Sequence, residues 1–184
     1  MTVSTKNSGL RGACVITSEL LGWGGAAEPA AVMLGFAQSL SAAGEDVTLV
    51  WVPNSRPPKL IEEIKASFYK QHSIKLEILQ KSDQMIYMLH NAETRSMAIY
   101  HYLKENQFKA VYFALEKGLA FYSLLAKETD VFVSRPQLTV VACNPIEWLS
   151  EADRFFLKNA QQVSIAVMEK YCVEMADQIG RAHV

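Results

Sequence analysis

Ala13-Cys14-Val15-Ile16-Thr17, then Ser18-Glu19-Leu20-Leu21-Gly22-Trp23-Gly24-Gly25, then a helix that opens at Glu28-Pro29 and stops at Gly44: this stretch spells out one strand, one loop and one helix. The run from Ala13 to Thr17 reads as a buried strand, and three glycines crowd the loop behind it. Glycine lets a backbone approach a ligand with no Cβ in the way, and a helix start adds unpaired N–H groups and the positive end of a dipole. Gly24 and Gly25 are therefore the candidate anion contacts. The competing reading is a βα turn that uses glycine only as a turn. In the helix, Met33, Phe36, Ala37 and Leu40 fall at the i, i+3, i+4, i+7 spacing of one buried face. Pro29 sits where a first turn tolerates proline, and Gly44 where a helix favours its last residue.

The same alternation continues outward. Val47 to Val52 is a continuous apolar run, the mark of a parallel strand covered on both faces, and the loop Pro53 to Pro58 follows. Leu60 to Tyr69 reads as a short helix with Leu60, Ile64 and Phe68 on one side, and Ile74 to Leu79 as a strand. A helix from about Asn91 to Glu105, a strand Ala110 to Ala114, a helix Gly118 to Lys127 and a strand Leu138 to Cys143 come next. Ala152 to Gln178 reads as one long helix with Phe156, Val163, Val167 and Tyr171 as its buried stripe. Strands alternating with helices predict an α/β fold, a Rossmann-like, doubly wound parallel sheet with right-handed crossovers. Such sheets bind ligands beyond the carboxyl ends of their strands, where Gly24, Glu116 and Asn144 fall.

The totals narrow the classes. A chain of 184 residues, half of them hydrophobic, buries a core and forms one domain, here residues 12–178 behind a flexible segment 1–11. Eighteen basic and nineteen acidic residues give a net charge of −1, and no basic stripe is interleaved with aromatics, which argues against a nucleic-acid surface. Cys14, Cys143 and Cys172 lack metal-site spacing and are odd in number, so they read as reduced, buried thiols of a cytoplasmic protein, with no metal site. No apolar run reaches eighteen residues and no signal-peptide core opens the chain, although peripheral membrane contact through a helix face stays open.

Gly22, Gly24 and Ala27 formally satisfy the G-x-G-x-x-A spacing of a dinucleotide site. Two features weaken a nucleotide-dependent oxidoreductase. The first glycine lies several residues past the strand, and the second strand ends in Val52-Pro53-Asn54 with no carboxylate for a ribose; Arg56 is the one nearby basic residue.

A resemblance spans almost the whole chain. Ile16-Thr17-Ser18-Glu19, then Gly24-Gly25, a helix and Ala43-Gly44-Glu45-Asp46-Val47 resemble the opening of retaining glycosyltransferases of the GT-B fold, the family 4-like group that includes glycogen and sucrose synthases. Phe113-Ala114-Leu115-Glu116-Lys117-Gly118-Leu119-Ala120-Phe121-Tyr122 is similar to the family's mid-lobe strand end and aromatic helix, Leu138 to Cys143 to the strand before its acceptor-side loop, and Tyr171 through Ala176-Asp177 to the helix end that precedes a further strand.

The resemblance implies the N-terminal, acceptor-side half of a GT-B enzyme that uses a nucleotide-sugar as co-substrate and needs no other cofactor. Its partners would be that donor, an acceptor and a C-terminal lobe bearing the donor site. Gly24 and Gly25 would steady the leaving diphosphate. Glu19, Glu116 and Gly118 would lie at the substrate edge, and Glu147 and Trp148 would line an acceptor cleft. The plainer alternatives are a solvated or capping carboxylate for Glu19 and simple packing for Trp148. Where the family commonly carries a histidine facing the donor sugar, this chain has Asn144-Pro145. Asparagine donates and accepts hydrogen bonds but carries no proton as histidine does. His72, His90, His101 and His183 do not replace it. Ile179-Gly180-Arg181-Ala182-His183-Val184, at 179–184, reads as a non-native tail at a truncation, since a common short-read sequencing adapter encodes the same six residues. The alternative to an enzyme lobe is a stand-alone Rossmann-like binding domain whose glycine loop is only structural.

Overall fold

Along the strands, successive side chains point to opposite faces, and this chain fills both. In β1 (Arg11–Thr17), Cys14 and Ile16 enter one core while Ala13 and Val15 enter another. β4 (Phe108–Ala114) divides in the same way, with Val111 and Phe113 on the first side and Tyr112 and Ala114 on the second. A strand apolar on both faces has to lie inside a sheet covered twice. The computed structural model, which describes residues 10–23, 27–53, 60–79, 91–132, 135–143, 145–152 and 156–181, shows such a sheet.

Six parallel strands run in the order β3-β2-β1-β4-β5-β6, with β2 (Val47–Trp51), β3 (Lys75–Ile78), β5 (Gln137–Ala142) and β6 (Gln178–Arg181) completing the set. Helices α1 (Ala27–Ala42) and α2 (Ile61–His72) cover one face through Met33, Ala37, Ile64 and Phe68. α3 (Ala92–Glu105), α4 (Phe121–Glu128) and α6 (Ala160–Met175) cover the other through Ile99, Leu103, Leu124 and Cys172. A short α5 (Ile146–Ala152) links β5 to α6. This is a doubly wound α/β fold of Rossmann type. The strand order reverses between β1 and β4, so a crevice opens at their carboxyl ends.

Several expected boundaries move. β1 starts at Arg11, inside the segment expected to be flexible. α4 starts at Phe121 because Lys117 and Gly118 both take positive φ, 53° and 64°, which no helix can contain. Its first turn is instead capped from α3: Ser96 Oγ accepts the Tyr122 N–H at 2.9 Å and donates to the Leu119 carbonyl at 3.0 Å. The long helix expected over Ala152 to Gln178 is shorter: Ala152 is the last residue of α5, the backbone at 156–159 is non-helical, α6 runs Ala160–Met175, and Gln178 already belongs to β6. Asn159 begins α6 by accepting the Gln162 N–H at 2.9 Å.

The expected stripe on that helix is also displaced. Phe156, Val163 and Val167 are exposed, Tyr171 alone of the expected four is half-buried against the core, and the buried face carries Ile165, Ala166, Met168, Glu169 and Cys172. Leu60, expected on the α2 face, is an exposed N-cap. β6 includes three of the six residues expected to be a tail: Ile179, Gly180 and Arg181 pair with Val140, Val141 and Ala142. The three cysteines are free and buried, and desolvation pushes the Cys143 and Cys172 thiols up to about 12.

Candidate functional site

Three loops meet at the carboxyl edge, after β1, β4 and β5. Thr17 is the last residue of β1, and the Ser18 N–H behind it points across the crevice to Glu116, whose Oε1 accepts it at 2.8 Å. Thr17 Oγ1 lies 3.3 Å from the same oxygen. Trp51, at the end of β2, donates its indole N–H to the Ser18 carbonyl at 3.1 Å and fixes the loop from the other side. The backbone amide that a phosphate would seek at this switch point is thus occupied by a carboxylate of the chain itself.

Beside Glu116, Lys117 Nζ lies 2.9 Å from Glu19 Oε1 and 3.2 Å from Ser18 Oγ. Arg95, on the first turn of α3, is buried close by: desolvation pulls its guanidinium down, while the carboxylates of Glu116, Glu19 and Glu93 hold it up. Carboxylates and cations therefore lie together across the β1–β4 crevice, largely buried and paired with one another. Glu19 is buried and ion-paired, so the reading of it as a solvated loop carboxylate is corrected.

The outer wall is built by α6. Glu169 is only 4% exposed, yet each oxygen has a partner: Oε1 accepts the Lys117 N–H at 2.6 Å and Oε2 accepts the Ile146 N–H at 2.7 Å. Its carboxyl is pushed up to about 7, by burial first and also by Glu116 and Glu147, against the two N–H bonds that pull it down. One residue earlier, Met168 occupies the space where Gly118 lacks a side chain: a Cβ there would stand 2.5 Å from Met168 Cβ. Between α5 and α6 an open cleft of about 200 Å³ is floored by Leu115, Pro145 and Val173 and walled by Glu147, Trp148, Glu169, Lys170 and Glu174. Trp148 is 59% exposed, so it is not packed away as its residue type suggested.

Of the residues expected at the site, Glu19 and Glu116 lie at the β1–β4 crevice, Gly118 stands against Met168 of α6, and Glu147 and Trp148 line the cleft beside it. Gly24, Gly25 and Asn144 lie outside the described residues. Sequence reading missed Lys117, Ser18, Arg95 and Glu169. Lys117 and Ser18 adjoin residues that were singled out, whereas nothing in the sequence marks Glu169. Of the histidines, His72 ends α2 beside Phe68 and His101 lies on α3, both away from the crevice. His90 and His183 lie outside the described residues. Among the described residues no group of histidine, cysteine and carboxylate could hold a metal ion, and no helix is long and apolar enough to cross a membrane.

No protein-family model matches the chain, and no curated protein matches it in sequence. Its fold does match solved structures. The apo structure of UGT2 from Phytolacca americana superposes with a TM-score of 0.53 at 13% identity, over 92% of this chain and 45% of that one. The same UGT2 with UDP-2-fluoro-glucose and pterostilbene matches at a TM-score of 0.49, 11% identity, over 94% of this chain and 48% of that one. The chain thus spans under half the length of the structure it matches, and what the likeness establishes is a fold shared with part of a glycosyltransferase.

Proposed function

We propose that this chain is the acceptor-side lobe of a glycosyltransferase that moves a sugar from a nucleotide-sugar donor to a hydroxyl acceptor. The observation that carries the reading is the fold match to UGT2, which takes in nearly all of this chain and less than half of that enzyme, leaving a second lobe's worth of chain to hold the donor. UGT2 binds UDP-2-fluoro-glucose and pterostilbene. The carboxyl-edge cleft supports the same division of labour, because an exposed indole beside carboxylates suits a ring that bears hydroxyls.

In this reading Glu147 and Trp148 hold the acceptor, while Glu19, Glu116 and Gly118 shape the inner wall. The amides of Gly24 and Gly25 face the leaving diphosphate, where negative charge develops, and Asn144 contacts the sugar. The acceptor oxygen forms the new bond to the anomeric carbon, the old bond to the diphosphate breaks with its electron pair going to the diphosphate, and the acceptor hydroxyl proton passes to the departing diphosphate oxygen. The narrower assignment, to the retaining family 4-like group, rests on the order of sequence segments alone.

The test is a transfer assay on the full gene product with a panel of nucleotide-sugars and phenolic acceptors, read by mass spectrometry, after sequencing the gene beyond the codon for Gln178. A downstream α/β lobe and a glycosylated product are expected. A gene that stops there, or a full-length product that forms no glycoside with any pair, sinks the proposal. One observation favours a second reading, a non-catalytic binding domain: the Ser18 N–H is already taken by Glu116. That reading predicts acceptor-induced shifts at Trp148 with no transfer.

A further inference from the structure

One buried carboxylate holds three loops of the carboxyl edge together. Glu169 stands in the middle of α6, far from either helix end, yet both of its oxygens are used by backbone N–H groups of other elements. One belongs to Lys117, at the turn after β4, and the other to Ile146, the first residue of α5. Lys117 has φ 53°, a conformation unfavourable for a side-chain-bearing residue, and the short bond to Glu169 is what rewards it. Its own side chain then reaches across the crevice to Glu19 and Ser18. The chain of contacts runs from α6 through Lys117 to the end of β1, and through Ile146 to the helix that carries Glu147 and Trp148.

We propose that Glu169 is the positioning residue of this edge, a proton-sensitive clamp that as a carboxylate fixes the β4 and β5 loops and on taking up a proton releases one of them. An ionised carboxylate accepts at both oxygens, whereas its acid form turns one of them into a hydroxyl that donates and accepts poorly. Two N–H donors cannot both be served as well by the acid. The groups facing Glu169 set where the switch lies. From the β4 end it faces Glu116, from α5 Glu147, and on its own helix the thiol of Cys172; the Lys117 and Ile146 amides are its counterweights. Desolvation and the two like charges place the transition at about pH 7. Glu169 also lines the α5–α6 cleft, so release of either loop changes the wall on which Trp148 stands. The clamp is a property of the empty chain and does not depend on the sugar-transfer reading.

The experiment is a pH titration of the full chain by two-dimensional 1H–15N NMR from pH 5 to 9, following the amides of Lys117 and Ile146. Both are expected to shift together as the pH falls, with one midpoint near 7, and one of them to lose its downfield position as its bond to Glu169 is released. In Glu169→Gln neither amide should titrate, because the amide side chain has one acceptor oxygen at every pH. Side-chain carboxyl carbons of the wild type provide a second reading that needs no variant: the Glu169 carbon should share the midpoint of the two amides. Amides that stay fixed across the range, that titrate with separate midpoints, or that still titrate in Glu169→Gln because a histidine drives them, overturn the proposal.

Discussion

Gly118→Ala tests how tightly α6 is seated against the β4 loop. Gly118 has φ 64°, where a residue with a Cβ loses about 1 kcal/mol. The new methyl would also stand 2.5 Å from Met168 Cβ and 2.8 Å from Met168 Cε. The second contact can relax by turning a flexible side chain. The first cannot, because a Cβ moves only with its helix, and overpacking of this kind costs about 1–3 kcal/mol. The sum, about 2–4 kcal/mol, is a large share of the roughly 5–15 kcal/mol a domain possesses. Urea unfolding followed by tryptophan emission should show the midpoint falling by about 1–2 M, at a slope of about 2 kcal/mol per molar. Gly44→Ala is the control, with φ 91° and nothing within 4 Å of its added Cβ, so it should lose only the conformational part, about 1 kcal/mol. The double variant with Met168→Gly, which removes the obstructing Cβ, should recover about 1–2 kcal/mol of coupling. If Gly118→Ala and Gly44→Ala are equally destabilised, α6 does not pack on the loop as described and the account of the clamp loses its footing.

Other consequences are open to direct measurement. For Glu169, the folded value of about 7 lies above the ordinary 4.5, so this group's contribution to stability is complete below about pH 4.5 and is lost as the pH rises through 7. The loss amounts to about 3 kcal/mol. Glu169→Gln removes that dependence, so the difference in urea midpoint between variant and wild type should grow from pH 5 to pH 8; parallel curves would contradict it. Lys117→Met removes the ammonium that faces the buried Glu19 carboxylate and should cost about 1–3 kcal/mol, checked by thermal unfolding, whereas an unchanged melting temperature would show the pair to be idle. Trp148→Ala, at an exposed position, should leave stability within about 0.5 kcal/mol of wild type but abolish acceptor-induced chemical shifts in the cleft, and retention of those shifts would move the acceptor elsewhere.

The sequence by itself determined the sheet. Strands apolar on both faces, such as Ala13 to Thr17 and Val47 to Val52, allow only a sheet covered twice, and helices with a single apolar face, such as that of Met33 and Ala37, supply the cover. It also pointed to the carboxyl edge, because the ends of parallel strands with one strand order gather there, and Glu19, Glu116, Glu147 and Trp148 are found on that edge. The face of α6 was not legible. Periodicity reads a buried side from apolar residues, and Glu169 on the true face counts as polar, so the pattern points to Val163 and Val167 instead. A carboxylate goes inside only where partners await it, and those partners are the backbone amides of Lys117 and Ile146, 52 and 23 residues away in the chain. The ion pair of Lys117 with Glu19, 98 residues apart, has the same origin. Local pattern carries the information for burying apolar surface, which needs no particular partner; only the tertiary structure decides which polar groups are brought close enough to satisfy one another.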